Sequence, residues 1–455
     1  MKKIILSLLI IVSSLSVYAQ TWQLVGVQGF SAPVSMYSLT SLALDHNGIP
    51  YVAYSDASAS GKLTVMTFNG TSWVPVGNTG FTTGQGYDMS LAIDTNNVPY
   101  VAFGDGGNLS HASVMKFDGT GWVNAGPAGF SDGIVNNCTI KFDNYDTAYV
   151  SYVDNFYSGK AVVKKFNGTN WVNIGTPGFT AGGTGQMTMA LNNNSVPYIA
   201  YQDQANGFAA SVMMFDGSNW VHVGSSTFSV AQVQYCHIVF DNTGTVPYVC
   251  YNEGYNPFSP NVQMYNGSAW VYVGGPNLNT NVDYLNNIAI DGNNIPYVVF
   301  PDGAYNYKAT VMKFNGSSWV TAGNAGFSYG AINFPNIVTD AMNNVYVEYY
   351  DTDDSNKISV MKLQNTSSVN EMNAGNNVSV YPNPSDSKVT IHIQSESFSM
   401  FPFRLIFTDI IGKEIYNRAL YQQETSIDVS GWNEGIYFYN IKGIDKISRG
   451  RFVKE

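Results

Sequence analysis

The chain has 455 residues, of which 45% are apolar, 14% aromatic and only 12% charged, with a net charge of −11. This composition excludes a disordered chain, which is rich in charge and poor in aromatics, and a coiled coil, built on Ala, Glu, Lys and Leu. The acidic balance disfavours nucleic acid and anionic membranes as partners.

In chain order, Lys2 and Lys3 precede an apolar run from Ile4 to Val17, and the small-residue site Val17-Tyr18-Ala19 follows. Positive, then apolar, then cleavable is the pattern of a secretory signal peptide, here residues 1–19. The run is shorter than the ~20 residues a membrane span needs, so no transmembrane segment is expected.

Residues 20–365 repeat. Trp22, Trp73, Trp122, Trp171, Trp220, Trp270 and Trp319 recur every 49 to 51 residues. Tyr51, Tyr100, Tyr149, Tyr198, Tyr248, Tyr297 and Tyr346 keep the same beat. One copy reads as four strands: Ser90–Asp94, Pro99–Phe103, Ser113–Phe117 and Trp122–Gly126. Asn-Gly or Asp-Gly joins the third to the fourth, as at Asp118-Gly119, and that dipeptide supplies the φ > 0 that tight hairpins require. Four short strands repeated seven times predict an all-β, seven-bladed β-propeller. The last copy lacks its tryptophan strand, while the mature chain opens on one with no partner. The N-terminal strand should therefore complete the last blade and remove two open edges. The repeat resembles the tryptophan-marked propellers of secreted bacterial and lectin-like proteins, a likeness that implies architecture and no particular function.

Two polar columns stand out. Asp56, Asp105, Asp154, Asp203, Glu253, Asp302 and Asp351 end the second strands. Ser41, Ser90, Thr139, Thr188, His237, Asn287 and Asn336 begin the first. Across the hairpin these positions are expected side by side, ringing one mouth of the central channel. Such a ring suits polyols, amines or a cation such as calcium; the alternative is that each acid anchors its own turn. No other cofactor is indicated. Asp45 and its equivalents begin Asp-x-Asn turns and read as Asx-turns rather than calcium loops. Asp351-Thr352-Asp353-Asp354 reads as solvated surface. The Asn-Gly-Thr/Ser sequons read as hairpin turns. Cys138 and Cys236 occupy one column of non-adjacent repeats, too far apart to bond, and all three cysteines read as small buried residues. The five histidines share no column and form no zinc spacing, and no nucleophile elbow or phosphate loop is present.

Residues 366–377 read as a linker, and the charge changes after it. Residues 20–375 hold 10 lysines, 23 carboxylates and no arginine, whereas residues 376–455 hold 9 charges of each sign and all four arginines. Lys388–Ile393, Arg404–Thr408, Ser426–Val429, Ile436–Ile441 and Arg449–Val453 read as strands of a small immunoglobulin-like β-sandwich spanning 378–455. Val380-Tyr381-Pro382-Asn383-Pro384, Asp409-Ile410-Ile411-Gly412-Lys413-Glu414, Gly435-Ile436-Tyr437-Phe438-Tyr439 and the basic Arg451-Phe452-Val453-Lys454 follow in order. This series resembles the C-terminal sorting domain of the Bacteroidetes type IX (Por) secretion system. The resemblance implies export across the outer membrane, with the secretion machinery and a sortase-like peptidase as partners, and release or attachment at the cell surface.

The expected function is a secreted or surface-displayed binding propeller, with carbohydrate as the ligand class, because aromatic rings, carboxylates, amides and hydroxyls together suit sugars. The alternatives are a glycan hydrolase or lyase on the same scaffold, or a structural or adhesive surface protein. Hydrolysis needs two differently tuned carboxylates, and a column of near-identical acids argues for binding instead.

Overall fold

The structure, a computed structural model, describes residues 20–35, 39–254, 258–279, 282, 285–365, 378–393, 403–409, 413–442 and 447–455. The expected signal peptide and linker lie outside the described residues. The chain divides into two compact units, Gln20–Asn365 and a second that holds Thr366–Glu455.

The first unit is seven four-stranded antiparallel sheets. In blade 2 the strands are Gly86–Ile93, Pro99–Asp105, His111–Phe117 and Trp122–Asn124, hydrogen-bonded in chain order. The first strands of successive blades touch all round the ring, blade 7 against blade 1 included. The predicted propeller is therefore formed. Its closure is also formed: Gln20–Leu24 pairs antiparallel with Lys357–Asn365 and supplies the outer strand of blade 7, with Trp22 opposite Leu363.

Local chemistry explains the repeat. Asp94 Oδ1 accepts the N–H groups of Asn96 (2.9 Å) and Val98 (2.8 Å), closing the first hairpin as an Asx-turn. At the third-to-fourth-strand turn, Asp118 Oδ1 accepts from Thr120 and Gly121, while Gly119 takes φ +94°, a conformation that a side chain would strain. Each tryptophan indole N–H donates to a main-chain carbonyl of the preceding blade at 2.7–2.8 Å, as Trp122 does to Val76 and Trp171 to Ala125. A phenylalanine stacks on the same indole; Phe81 and Trp122 lie 4.2 Å apart between centroids. The tryptophan beat is thus a blade-to-blade clamp. Between the clamps, second-strand residues such as Val101 and Phe103 are fully buried.

The first strands are longer than the apolar pattern suggested. In blade 2 the ladder shifts register between Tyr87 and Ser90, and Asp88 sits at φ +49°. This bulge carries the strand on to Gly86. Asn137, Tyr235 and Phe334 hold the same left-handed position in other blades. Cys138, Cys236 and Cys250 are buried and unbonded.

The second unit has a three-stranded sheet, in the order Val378–Tyr381, Lys388–Ile393, Glu424–Asp428, and a four-stranded one, in the order Glu414–Leu420, Phe403–Thr408, Gly435–Lys442, Ile447–Lys454. Val389, Ile391 and Ile427 of the first meet Phe407, Ile441 and Phe452 of the second in one core. All five expected strands are present. Val378–Tyr381 and Glu414–Leu420 were not anticipated; the latter is mostly exposed and carries no apolar alternation.

Candidate functional site in the propeller channel

The first strands enclose a central cavity of about 940 Å³, near the upper end for small-molecule sites. All seven residues of the polar column line it: Ser41, Ser90, Thr139, Thr188, His237, Asn287 and Asn336. None of the seven acids does. The expected pairing of the two columns is not formed, because Ser90 lies opposite Ala102 and Asp105 lies opposite Gly86. The acids stand three residues further along, roughly 10 Å from the polar level.

Six of the seven acids are instead engaged beside their own turns. Asp105 accepts from Gly107 N (2.9 Å), Asn108 Nδ2 (2.7 Å) and Ser113 Oγ (2.7 Å). Asp56, Asp154, Asp203, Asp302 and Asp351 likewise accept from the N–H two residues on, and all are at most 4% exposed with Asp105. Glu253, one methylene longer, reaches Val230 N and Ala231 N in the preceding interblade loop. Among the described residues no group of three or more His, Cys, Asp or Glu side chains is placed to hold a metal ion.

Part of the polar column joins blades. Ser41 Oγ accepts from Leu91 N (3.0 Å), Ser90 Oγ from Ile140 N (3.2 Å) and Thr188 Oγ1 from Ile238 N (3.0 Å), each across a blade boundary. Asn287 Nδ2 donates to Asn336 Oδ1 at 3.3 Å. His237 lies on the lumen, and its pKa is pushed down to about 4, first by burial and then by the Lys141 ammonium, so the ring is neutral at physiological pH.

Four further groups shape the site. Asp88 lines the cavity from the bulge, and burial raises its pKa against the Asn137 N–H that stabilises its charge. Gln186, one further bulge position, accepts from Tyr235 N at 3.0 Å. Lys141 lines the opposite end, two residues before its strand's Asx-turn; surrounding protein lowers its pKa although its side chain is exposed to the lumen. Asn286 is 3% exposed, and neither amide atom has a hydrogen-bond partner.

Behind the channel wall, Glu348 is fully buried opposite Asn336. Its Oε2 accepts from Asn336 Nδ2 (2.8 Å) and from Thr40 Oγ1 of blade 1 (3.0 Å), while Oε1 has no partner. Reading the repeats column by column would have found these groups. Lys141 stands where the other six copies have Ala or Val, and Glu348 where they have Ala, Ser, Cys or Val.

Residues 379–455 match the family described as the secretion system C-terminal sorting domain. The chain therefore carries the sorting signal of type IX secretion, which sends proteins to the cell surface or the extracellular space. No curated protein sequence matches the chain. Among solved structures it is similar to PorZ, a surface component of the type IX secretion system of Porphyromonas gingivalis, at 15% identity and TM-score 0.46. That alignment covers 93% of this chain and 60% of PorZ, so the chain spans well under two thirds of PorZ's length. It is also similar to an ulvan lyase (12% identity, 75% of this chain, 94% of the lyase, TM-score 0.49). A fucose-specific lectin from Aleuria aurantia matches at 16% identity, 66% of this chain, 99% of the lectin and TM-score 0.44.

Proposed function

We propose that this exported protein is a carbohydrate-binding propeller whose ligand site is the central channel, in the polar column and the groups above and below it. The carrying observation is the lumen itself: a cavity of about 940 Å³ whose lining mixes hydroxyls, amides, one imidazole, one ammonium and one carboxylate. Hydroxyl-rich ligands need that mixture of donors and acceptors. Asp88 is the one carboxylate among the described lining residues, which favours binding over hydrolysis, where two are required.

The mouth supports the same reading. Asn155, Gly159 and Gln204, from turns between second and third strands, reach the cavity. Those turns also display Phe156 (68% exposed), Phe208 (44%), Tyr305 (48%) and Tyr307 (48%). Phe208 and Tyr307 hold φ of +64° and +59°, a conformation that bulky residues adopt at a cost. Rings presented this way offer sugars flat stacking faces.

In this account residues 1–19 are removed on export, 20–365 form the binding domain, 366–377 link it to the sorting domain at 378–455, and a sortase-like peptidase at the surface cleaves that domain. The test is a glycan array with the mature chain, followed by a plugged variant. Val239 lines the cavity and is half-buried. Val239→Trp is expected to abolish binding of the retained glycan with the circular-dichroism spectrum unchanged. Binding that survives the plug would place the site elsewhere.

A further inference from the structure

We propose that the channel selects saccharides that carry a carboxylate, and that the Lys141 ammonium receives it; this inference rests on the channel reading above. Among the described lining residues Lys141 is the one lysine. At its level the other six blades present Ala43, Ala92, Ala190, Val239, Ala289 and Val338, none of which can neutralise or hydrogen-bond an ammonium through its side chain. Among the described residues that line the lumen, Asp88 is the one carboxylate. An ammonium that faces the lumen with no counter-charge beside it attracts a ligand anion to that point.

The rest of the lumen gives the anion a direction and a body. Asp88 lies four strand residues away, roughly 13 Å, towards the other mouth, and repels an anion from that end. An acidic sugar is thereby oriented with its carboxylate at Lys141 and its hydroxyls beside Thr139, His237 and Asp88. Thr139 is on the same strand as Lys141, two residues away, and so on the same face. His237 lines the same lumen at the level of Thr139, and the Lys141 charge lowers its pKa. The ammonium also sets the kind of anion. The propeller has no arginine, and a single ammonium matches the single charge of a carboxylate. Phosphate carries more charge and is held best by bidentate guanidinium forks.

The experiment is calorimetric titration of the mature chain with oligomers of galacturonate, mannuronate and glucuronate. Oligomers of galactose, mannose and glucose serve as neutral counterparts, and acetate as the free carboxylate. At least one uronate is expected to bind about tenfold or more tighter than its neutral partner. Lys141→Met should bring that pair to nearly equal affinity without lowering the melting temperature, and Lys141→Arg should keep the preference. A preference unchanged in Lys141→Met, or neutral sugars bound as tightly as uronates by the parent chain, overturns this inference and leaves the channel reading standing. Acetate bound as tightly as the uronates overturns the saccharide half of it. No binding by any of the sugars overturns both readings.

Discussion

Replacing Trp22 by Ala in the mature chain is expected to cost about 3–5 kcal/mol in stability, as for other buried large-to-small aromatic changes. Deleting Gln20–Leu24 should prevent cooperative folding of the propeller. The N-terminal segment is clamped from both sides. The Trp22 indole donates to Ala322 O of blade 6 at 2.8 Å and stacks on Phe327 at 4.3 Å. Val25 O accepts the Trp73 indole N–H of blade 1 at 2.7 Å. Losing the strand therefore breaks the Trp22 clamp and the outer ladder of blade 7 together, and leaves the Val25 carbonyl that receives Trp73 at a new chain end. Urea denaturation checks this; a Trp22→Ala loss below about 1 kcal/mol would mean that the ring closes without its clamp.

The second large effect is a pH dependence at the same seam. Elsewhere, turns on one face are tied blade to blade: Asn97 Oδ1 accepts from His46 N, Asn294 Oδ1 from Asn242 N and Asn343 Oδ1 from Gly292 N. Blade 1 has Gly48 at that position, which has no side chain to accept from blade 7. The 7–1 seam instead holds Glu348, Thr40 and Asn336. Burial raises the Glu348 pKa from 4.5 to about 8, although both neighbours donate to it. Below pH 4.5 it is protonated in both the folded and unfolded states. Between 4.5 and 8 the unfolded chain loses the proton and the folded chain keeps it, so stability falls as pH rises. Above pH 8 the loss is complete, at roughly 4–5 kcal/mol for a shift of that size. Glu348→Gln cannot ionise. Its stability relative to the parent should rise across that window by an amount of this order and then level off. Parallel stability curves for the two proteins would show that Glu348 does not titrate in the fold.

The propeller was legible because its signals are local and repeated. The tryptophan beat, the Asx-turns and the unpaired first strand each name a contact that the fold makes. The acids were misplaced for a physical reason. Apolar alternation ends near Ser90, but the bulge at Asp88 lets the first strand run on to Gly86, and the second runs to Asp105. The acids thus fall at the far end of a longer hairpin, in turns that fully occupy most of their oxygens. Lys141, Asp88 and Glu348 carry no repeat signal, because each differs from the residues of its own column. A site in a ring of near-identical blades is made by what differs, and those three ionisable groups are such differences. In the second unit, the missed edge strand Glu414–Leu420 has exposed residues on both faces and so no pattern to read.

The most direct test of the account is a structure of the mature chain bound to the glycan it retains most tightly on the array. The account predicts ligand within the central channel, hydrogen-bonded to the polar level at Thr139 and His237 and contacting Lys141. Ligand seated between the outer strands of neighbouring blades, with the channel holding only water, would contradict it.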